Sequence, residues 1–140
     1  MDSAGPELER RFRRDIAALD DVFAFVGEFF RARRLDPRHA PDVGFIVEEL
    51  FTNMVKYDGG EHDIGVRLTH AGDRVRIAVI DEDVEPFDPT AVPEVDTTRP
   101  IAERGAGGLG LHLVRKLADG IDYEYKGRTS TVTVTKKLGE

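Results

Sequence analysis

The sequence predicts an α+β fold: a two-layer sandwich in which one mixed, mainly antiparallel sheet carries its helices on one face. Three observations lead there. Residues 64–69 with 75–79, and 121–125 with 131–137, alternate apolar and polar side chains about short polar turns, and each pair reads as a β-hairpin. Stretches of helical period stand before and between the hairpins. Strands do not alternate one by one with helices, as a doubly wound parallel sheet requires.

From the N-terminus, Leu8 and Phe12 can anchor an edge strand with its arginines outward. Asp20 is expected to cap a helix running to about Arg34, with Val22, Phe23, Val26, Phe29 and Phe30 as its buried stripe. Asp36-Pro37 opens the next helix, whose regular part is expected near Pro41 and runs to Tyr57, before Asp58-Gly59-Gly60. The first hairpin turns at Ala71-Gly72-Asp73 and the second at Lys126-Gly127-Arg128. Between them, residues 82–108 hold Pro86, Pro89, Pro93, Pro100 and a glycine cluster, a loop long enough to suggest a lid over a ligand. A further helix is expected over Leu109–Ala118.

A length of 140 residues suits one domain with a single core, so residues 1–140 are read as one unit. No apolar run approaches the ~20 residues that span a bilayer, and the polar stretch Met1 to Arg10 lacks the apolar core of a signal peptide. The expectation is a cytoplasmic protein away from membranes. The absence of cysteine excludes disulfides, zinc–cysteine sites and thiol catalysis. A net charge of -7 argues against direct nucleic-acid binding. The local exception is Arg10, Arg11, Arg13 and Arg14, read as a solvated strand or an approach to an acidic protein partner.

Two clusters carry chemistry. On the second helix, Val43, Ile46, Val47, Leu50 and Met54 form an apolar stripe, and Glu49, Asn53 and Lys56 form another beside it. A carboxylate there can take a hydroxyl proton, an amide oxygen can ligate Mg²⁺, and an ammonium can meet phosphate. A plain solvated helix face fits the same spacing, although a mid-helix asparagine is a poor helix former. The other cluster is Arg104-Gly105-Ala106-Gly107-Gly108-Leu109-Gly110-Leu111, opening into a helix. Glycines let backbone N–H groups approach a ligand, and a helix start binds phosphate; the alternative is a flexible hinge. Gly105, Gly107 and Gly110 also match the dinucleotide pattern Gly-x-Gly-x-x-Gly, but the βαβ context is missing, as is a Walker A frame.

Period 2 puts Asp81 on the same face as Val75, Ile77 and Val79, where its carboxylate could accept an exocyclic amine or simply start a turn. Pro86 and Phe87 could wall an apolar pocket or belong to the core.

Together these segments resemble the GHKL (Bergerat-fold) ATPase domain, and within it the small anti-sigma serine kinases. The resemblance spans about Leu8 to Lys137 and is carried by Glu49-Leu-Phe-Thr-Asn53 and by the run from Gly107 through His112 to Asp119. It implies that Glu49 is the catalytic base, Asn53 the Mg²⁺ ligand and Asp81 the adenine-binding aspartate. It also makes Gly107, Gly108 and Gly110 the phosphate-cradling loop, with Lys56, Phe87, Arg104, Gly105, Leu109 and Leu111 completing the ATP site. The activity implied is transfer of the ATP γ-phosphate to a serine on an anti-anti-sigma (STAS-type) partner, alternating with capture of a sigma factor, in a homodimer. A module that only holds its protein partner is the alternative. A detached ATP-binding domain of a histidine kinase is a third reading, for which none of His39, His62, His70 and His112 stands in a dimerisation helix.

One departure stands out. The family's Asp-x-Gly is here Asp81-Glu82-Asp83, and the distance to Pro86-Phe87 is one residue longer than the family's spacing. Counting back from Pro86-Phe87 would make Glu82 the adenine-facing carboxylate, whereas strand alternation favours Asp81.

Overall fold

The computed structural model describes residues 7–57, 61–84 and 113–138. Five strands form one sheet in the order β1-β2-β3-β5-β4, with β1 Glu7–Phe12, β2 Ile64–Ala71, β3 Arg74–Glu82, β4 Gly120–Lys126 and β5 Thr129–Lys137. Each described pairing is antiparallel, so the parallel component expected of a mixed sheet does not occur among these strands. The hairpins close where expected. Gly72 and Gly127 adopt φ of 63° and 57°, the left-handed conformation that tight turns demand and glycine tolerates.

Two helices, α1 (Leu19–Ala32) and α2 (Ala40–Tyr57), pack on each other, α1 also against β1 and α2 against β2, β3 and β5. The core forms because strand period 2 and helix period 3.6 meet on one face. Ile64, Val66 and Leu68 of β2, Val75, Ile77 and Val79 of β3, and Val132 and Val134 of β5 are fully buried with Val43, Ile46 and Val47 of α2. A helical segment at 113–117 adds Val114 to the same core. No described helix is long and apolar enough to cross a membrane.

Three expectations are corrected. Asp20 does not cap α1; it lies in the first turn, while Asp15 caps a short 3-10 turn, Ile16–Ala18, by accepting from the Ala17 amide. Phe23 is not in the buried stripe: it is 41 % exposed and lines a groove with Pro41, Gly44 and Phe45, while Phe25 takes the interior position at 1 %. The helical pattern admits either rotation. Phe12 selects Phe25 through an edge-on ring contact at 5.7 Å, and the Arg10 guanidinium covers that ring at 5.1 Å. Third, Arg14 leaves the solvated row of arginines: Arg10, Arg11 and Arg13 are exposed, with Arg10 paired to Glu28 and Arg11 to Glu82, whereas Arg14 turns inward to Asp81.

The expected lid loop from residue 85 onward, the glycine loop and the start of its helix lie outside the described residues.

Candidate functional site

Helix α2 runs unbroken past Glu49 and Asn53, whose spacing sets both on one face. Asn53 is buried at 3 %, and its amide nitrogen donates to the Glu49 carbonyl at 2.6 Å. That bond satisfies the side-chain N–H on its own helix, within a single turn. Glu49 is half-buried, and loss of hydration raises its pKa above the ordinary glutamate value. The adjacent Glu48 carboxylate pushes the same way, and Lys56 opposes both. A carboxylate tuned upward in this manner is better matched to accepting a hydroxyl proton near neutral pH. Lys56 is exposed.

Asp81 sits at the end of β3, where alternation turns it inward, and is fully buried. Its Oδ1 receives a hydrogen bond from Arg14, which also donates to the carbonyls of Met54, in the last turn of α2, at 2.9 Å and of His62 at 3.1 Å. One guanidinium thus ties the end of α2 to the end of β3 and brings the helix-face group and Asp81 into one region. Asp81 Oδ2 has no hydrogen-bond partner, and neither has the hydroxyl of Ser130, buried at 1 % directly across from Asp81 on β5. Buried polar atoms are rarely left so, and an unpaired acceptor beside an unpaired hydroxyl suits a ligand carrying a donor.

The residues after Asp81 account for the missing glycine. Glu82 points to the other face, half-exposed, and pairs with Arg11 at 2.6 Å. Asp83 stands two residues after Asp81 with φ 57°, so it adopts the left-handed conformation that a glycine would take there, one that aspartate tolerates better than most residues. It is held by Arg128 at 2.8 Å, which lowers its pKa below the usual carboxylate value, with His62 acting the same way. Val84 follows, its N–H donating to the Arg128 carbonyl at 3.0 Å and its carbonyl accepting from the Tyr125 hydroxyl at 2.7 Å.

Of the residues singled out from sequence, Glu49, Asn53, Lys56 and Asp81 are described, and Phe87, Arg104, Gly105, Gly107, Gly108, Leu109, Gly110 and Leu111 lie outside the described residues. Ser130 went unnoticed in the sequence, and Arg14 was read only as one of a row of arginines. Ser130 had a signal, a hydroxyl at the inward parity of an otherwise valine-bearing face with Val132 and Val134. Arg14 had none that separated it from the neighbouring arginines. No group of His, Cys, Asp and Glu that could hold a metal occurs among the described residues, and an Mg²⁺ here would depend on the single Asn53 oxygen plus ligand oxygens.

Residues 12–136 match the family model of the histidine kinase-like ATPase domain. Solved structures share the fold, three of them as follows. The RsbU and RsbW domains of Rv1364c from Mycobacterium tuberculosis align over 96 % of this chain and 33 % of that one, at 22 % identity and a TM-score of 0.66. This chain therefore spans about a third of that protein's length. The SiaB–SiaC complex from Pseudomonas aeruginosa aligns over 91 % of this chain and 88 % of that one, at 16 % identity and a TM-score of 0.61. The Acinetobacter baumannii histidine kinase AdeS aligns over 95 % and 68 %, at 15 % identity and a TM-score of 0.52. A search of curated proteins finds no match.

Proposed function

The chain belongs to the histidine kinase-like ATPase domain family, and from that premise we propose that it is an ATP-dependent protein serine/threonine kinase of the anti-sigma type. It phosphorylates a serine on an anti-anti-sigma, STAS-type partner and otherwise sequesters a sigma factor, as a cytoplasmic homodimer. The similarity in fold to RsbW and SiaB supports a partner-switching role. The observation that carries the enzymatic reading is Glu49: a half-buried carboxylate of raised pKa, one turn from a buried asparagine, on a helix tied to Asp81.

Bound Mg-ATP supplies the γ-phosphoryl group and the metal charge that offsets it. The chain's own task is positioning and electrostatics. Glu49 would orient the partner's serine hydroxyl and accept its proton as the serine oxygen bonds to the γ-phosphorus and the bond from that phosphorus to the bridging oxygen breaks, with ADP as the leaving group. The Asn53 amide oxygen would hold Mg²⁺, and Lys56 would meet phosphate as a point charge. Asp81 would accept a hydrogen bond from the exocyclic amine of adenine, and Phe87 is assigned to the same ATP site. Backbone N–H groups of the loop Arg104 to Leu111, above all at Gly105, Gly107, Gly108 and Gly110, would hold the phosphates.

The test is ATP-dependent phosphorylation of the cognate partner by wild type and Glu49→Gln. We expect the variant to lose ~10²–10⁴ in kcat while binding Mg-ADP as before. A variant as fast as wild type would remove Glu49 from the reaction. Calorimetry separates the other reading: no heat with Mg-ATP up to millimolar concentration would make this a module that only holds its partner.

A further inference from the structure

Of the three paired arginines near the N-terminus, Arg14 differs in kind. The ion pairs of Arg10 and Arg11 are about half-exposed on both sides, but the side chains of Arg14 and Asp81 are only 12 % and 0 % exposed. Its three nitrogens each meet a different acceptor: Nε the His62 carbonyl, Nη1 the Met54 carbonyl and Nη2 Asp81 Oδ1. A planar guanidinium with three separate acceptors has its plane and position determined. Met54 adds the negative end of the α2 dipole, so the cation is held even apart from Asp81.

The direction of approach matters. His62 precedes β2 and Ser130 lies on β5, so they stand on opposite sides of β3 about Asp81. Arg14 comes from the β2 side and occupies one oxygen. The other oxygen and the Ser130 hydroxyl remain buried without partners.

We propose that Arg14 is a positioning residue for base selection: it engages Oδ1 of Asp81 from the β2 side and presents Oδ2 as the acceptor left for a nucleobase. This rests on the ATP-binding reading above. A carboxylate oxygen fixed in this way pairs with the 6-amino group of adenine and repels the 6-keto oxygen of a hypoxanthine or guanine base. Without Arg14 the carboxylate is free to turn, and the geometric preference for the amine is lost.

The experiment is calorimetric titration of wild type, Arg14→Met and Arg14→Lys with Mg-ADP and with Mg-IDP, its 6-keto counterpart. Wild type is expected to bind ADP at least about tenfold more tightly than IDP. Arg14→Met should weaken ADP about tenfold and IDP less than about twofold, collapsing the selectivity. Arg14→Lys, which keeps the charge without the fork, should lose part of it, and it decides the matter if Arg14→Met does not fold. Equal losses for both nucleotides would reduce Arg14 to a structural residue, and tighter ADP binding in Arg14→Met would make it an obstruction; either overturns the proposal alone. A wild type that binds neither nucleotide would sink the ATP-binding reading and this inference with it.

Discussion

The two ends of the site are built by different means. Glu49, Asn53 and Lys56 belong to one helix, and the contact that orders them, Asn53 to the Glu49 carbonyl, spans a single turn. Asp81 is fixed by groups far away in sequence: Arg14 from after β1, and the Met54 and His62 carbonyls that steady Arg14. One end is half-open, with a carboxylate of raised pKa and an exposed lysine. The other is buried, with Asp81 at 0 % and the Arg14 side chain at 12 % exposure. The difference suits the roles proposed for each end. A group that gives and takes protons must exchange with incoming substrate, whereas a group that reads a base gains from being immobile in low dielectric.

The sharpest way to break this contrast is to remove Asp81. Asp81→Ala leaves the Arg14 guanidinium buried without its carboxylate and should cost about 3–5 kcal/mol in urea unfolding, with the double variant Arg14→Met/Asp81→Leu recovering most of it. Should Asp81→Ala unfold like a surface substitution, the base end is not the buried structure described.

Next in size is Asn53→Ala. It should weaken nucleotide binding roughly tenfold with Mg²⁺ present and hardly at all in EDTA, because only the metal-dependent part of affinity runs through the amide oxygen. An equal loss in both conditions would assign Asn53 to helix packing.

Smaller again is the pH response of Glu49. Its folded-state pKa lies above the ordinary glutamate value, so the native protein holds this proton to higher pH than the unfolded chain does. Its ionisation therefore lowers stability as pH rises from about the unfolded pKa through the folded one. Glu49→Gln should be more stable than wild type at neutral pH, with the gain fading as pH falls through that window; chemical unfolding at several pH values measures it. Transfer activity should show an acidic limb above the usual glutamate range that the variant lacks. A stability gain that persists unchanged at acidic pH would mean that charge burial is not its cause.

The smallest effect belongs to Asp83. Asp83→Gly relieves a left-handed aspartate but gives up an exposed pair with Arg128, and the thermal midpoint should scarcely move. Asp83→Val keeps neither compensation and should lower the midpoint further. If the glycine variant is the less stable of the two, the conformation is not what the position requires.

Much of this was legible in the sequence wherever the signal is local. The α2 stripe of Val43, Ile46, Val47, Leu50 and Met54 is buried as its period implied, and Asp81 faces inward as strand parity implied. The apparent defect after Asp81 was legible only as a missing glycine. That the backbone keeps the turn with Asp83 at φ 57° is a property of torsion space, invisible in residue identity.

By itself, then, the sequence determined the main elements, the inward face of α2 and of the strands, and the placement of a carboxylate and an asparagine one turn apart, because helix and strand periods are set by neighbours a few residues away. Tertiary structure alone decided that Phe25 rather than Phe23 goes inside, since Phe12 chooses between two equally good helical stripes. It alone decided that Arg14, among four arginines, is the one that closes on Asp81. That pairing joins residues 67 apart, and a charge has no period that would announce its partner.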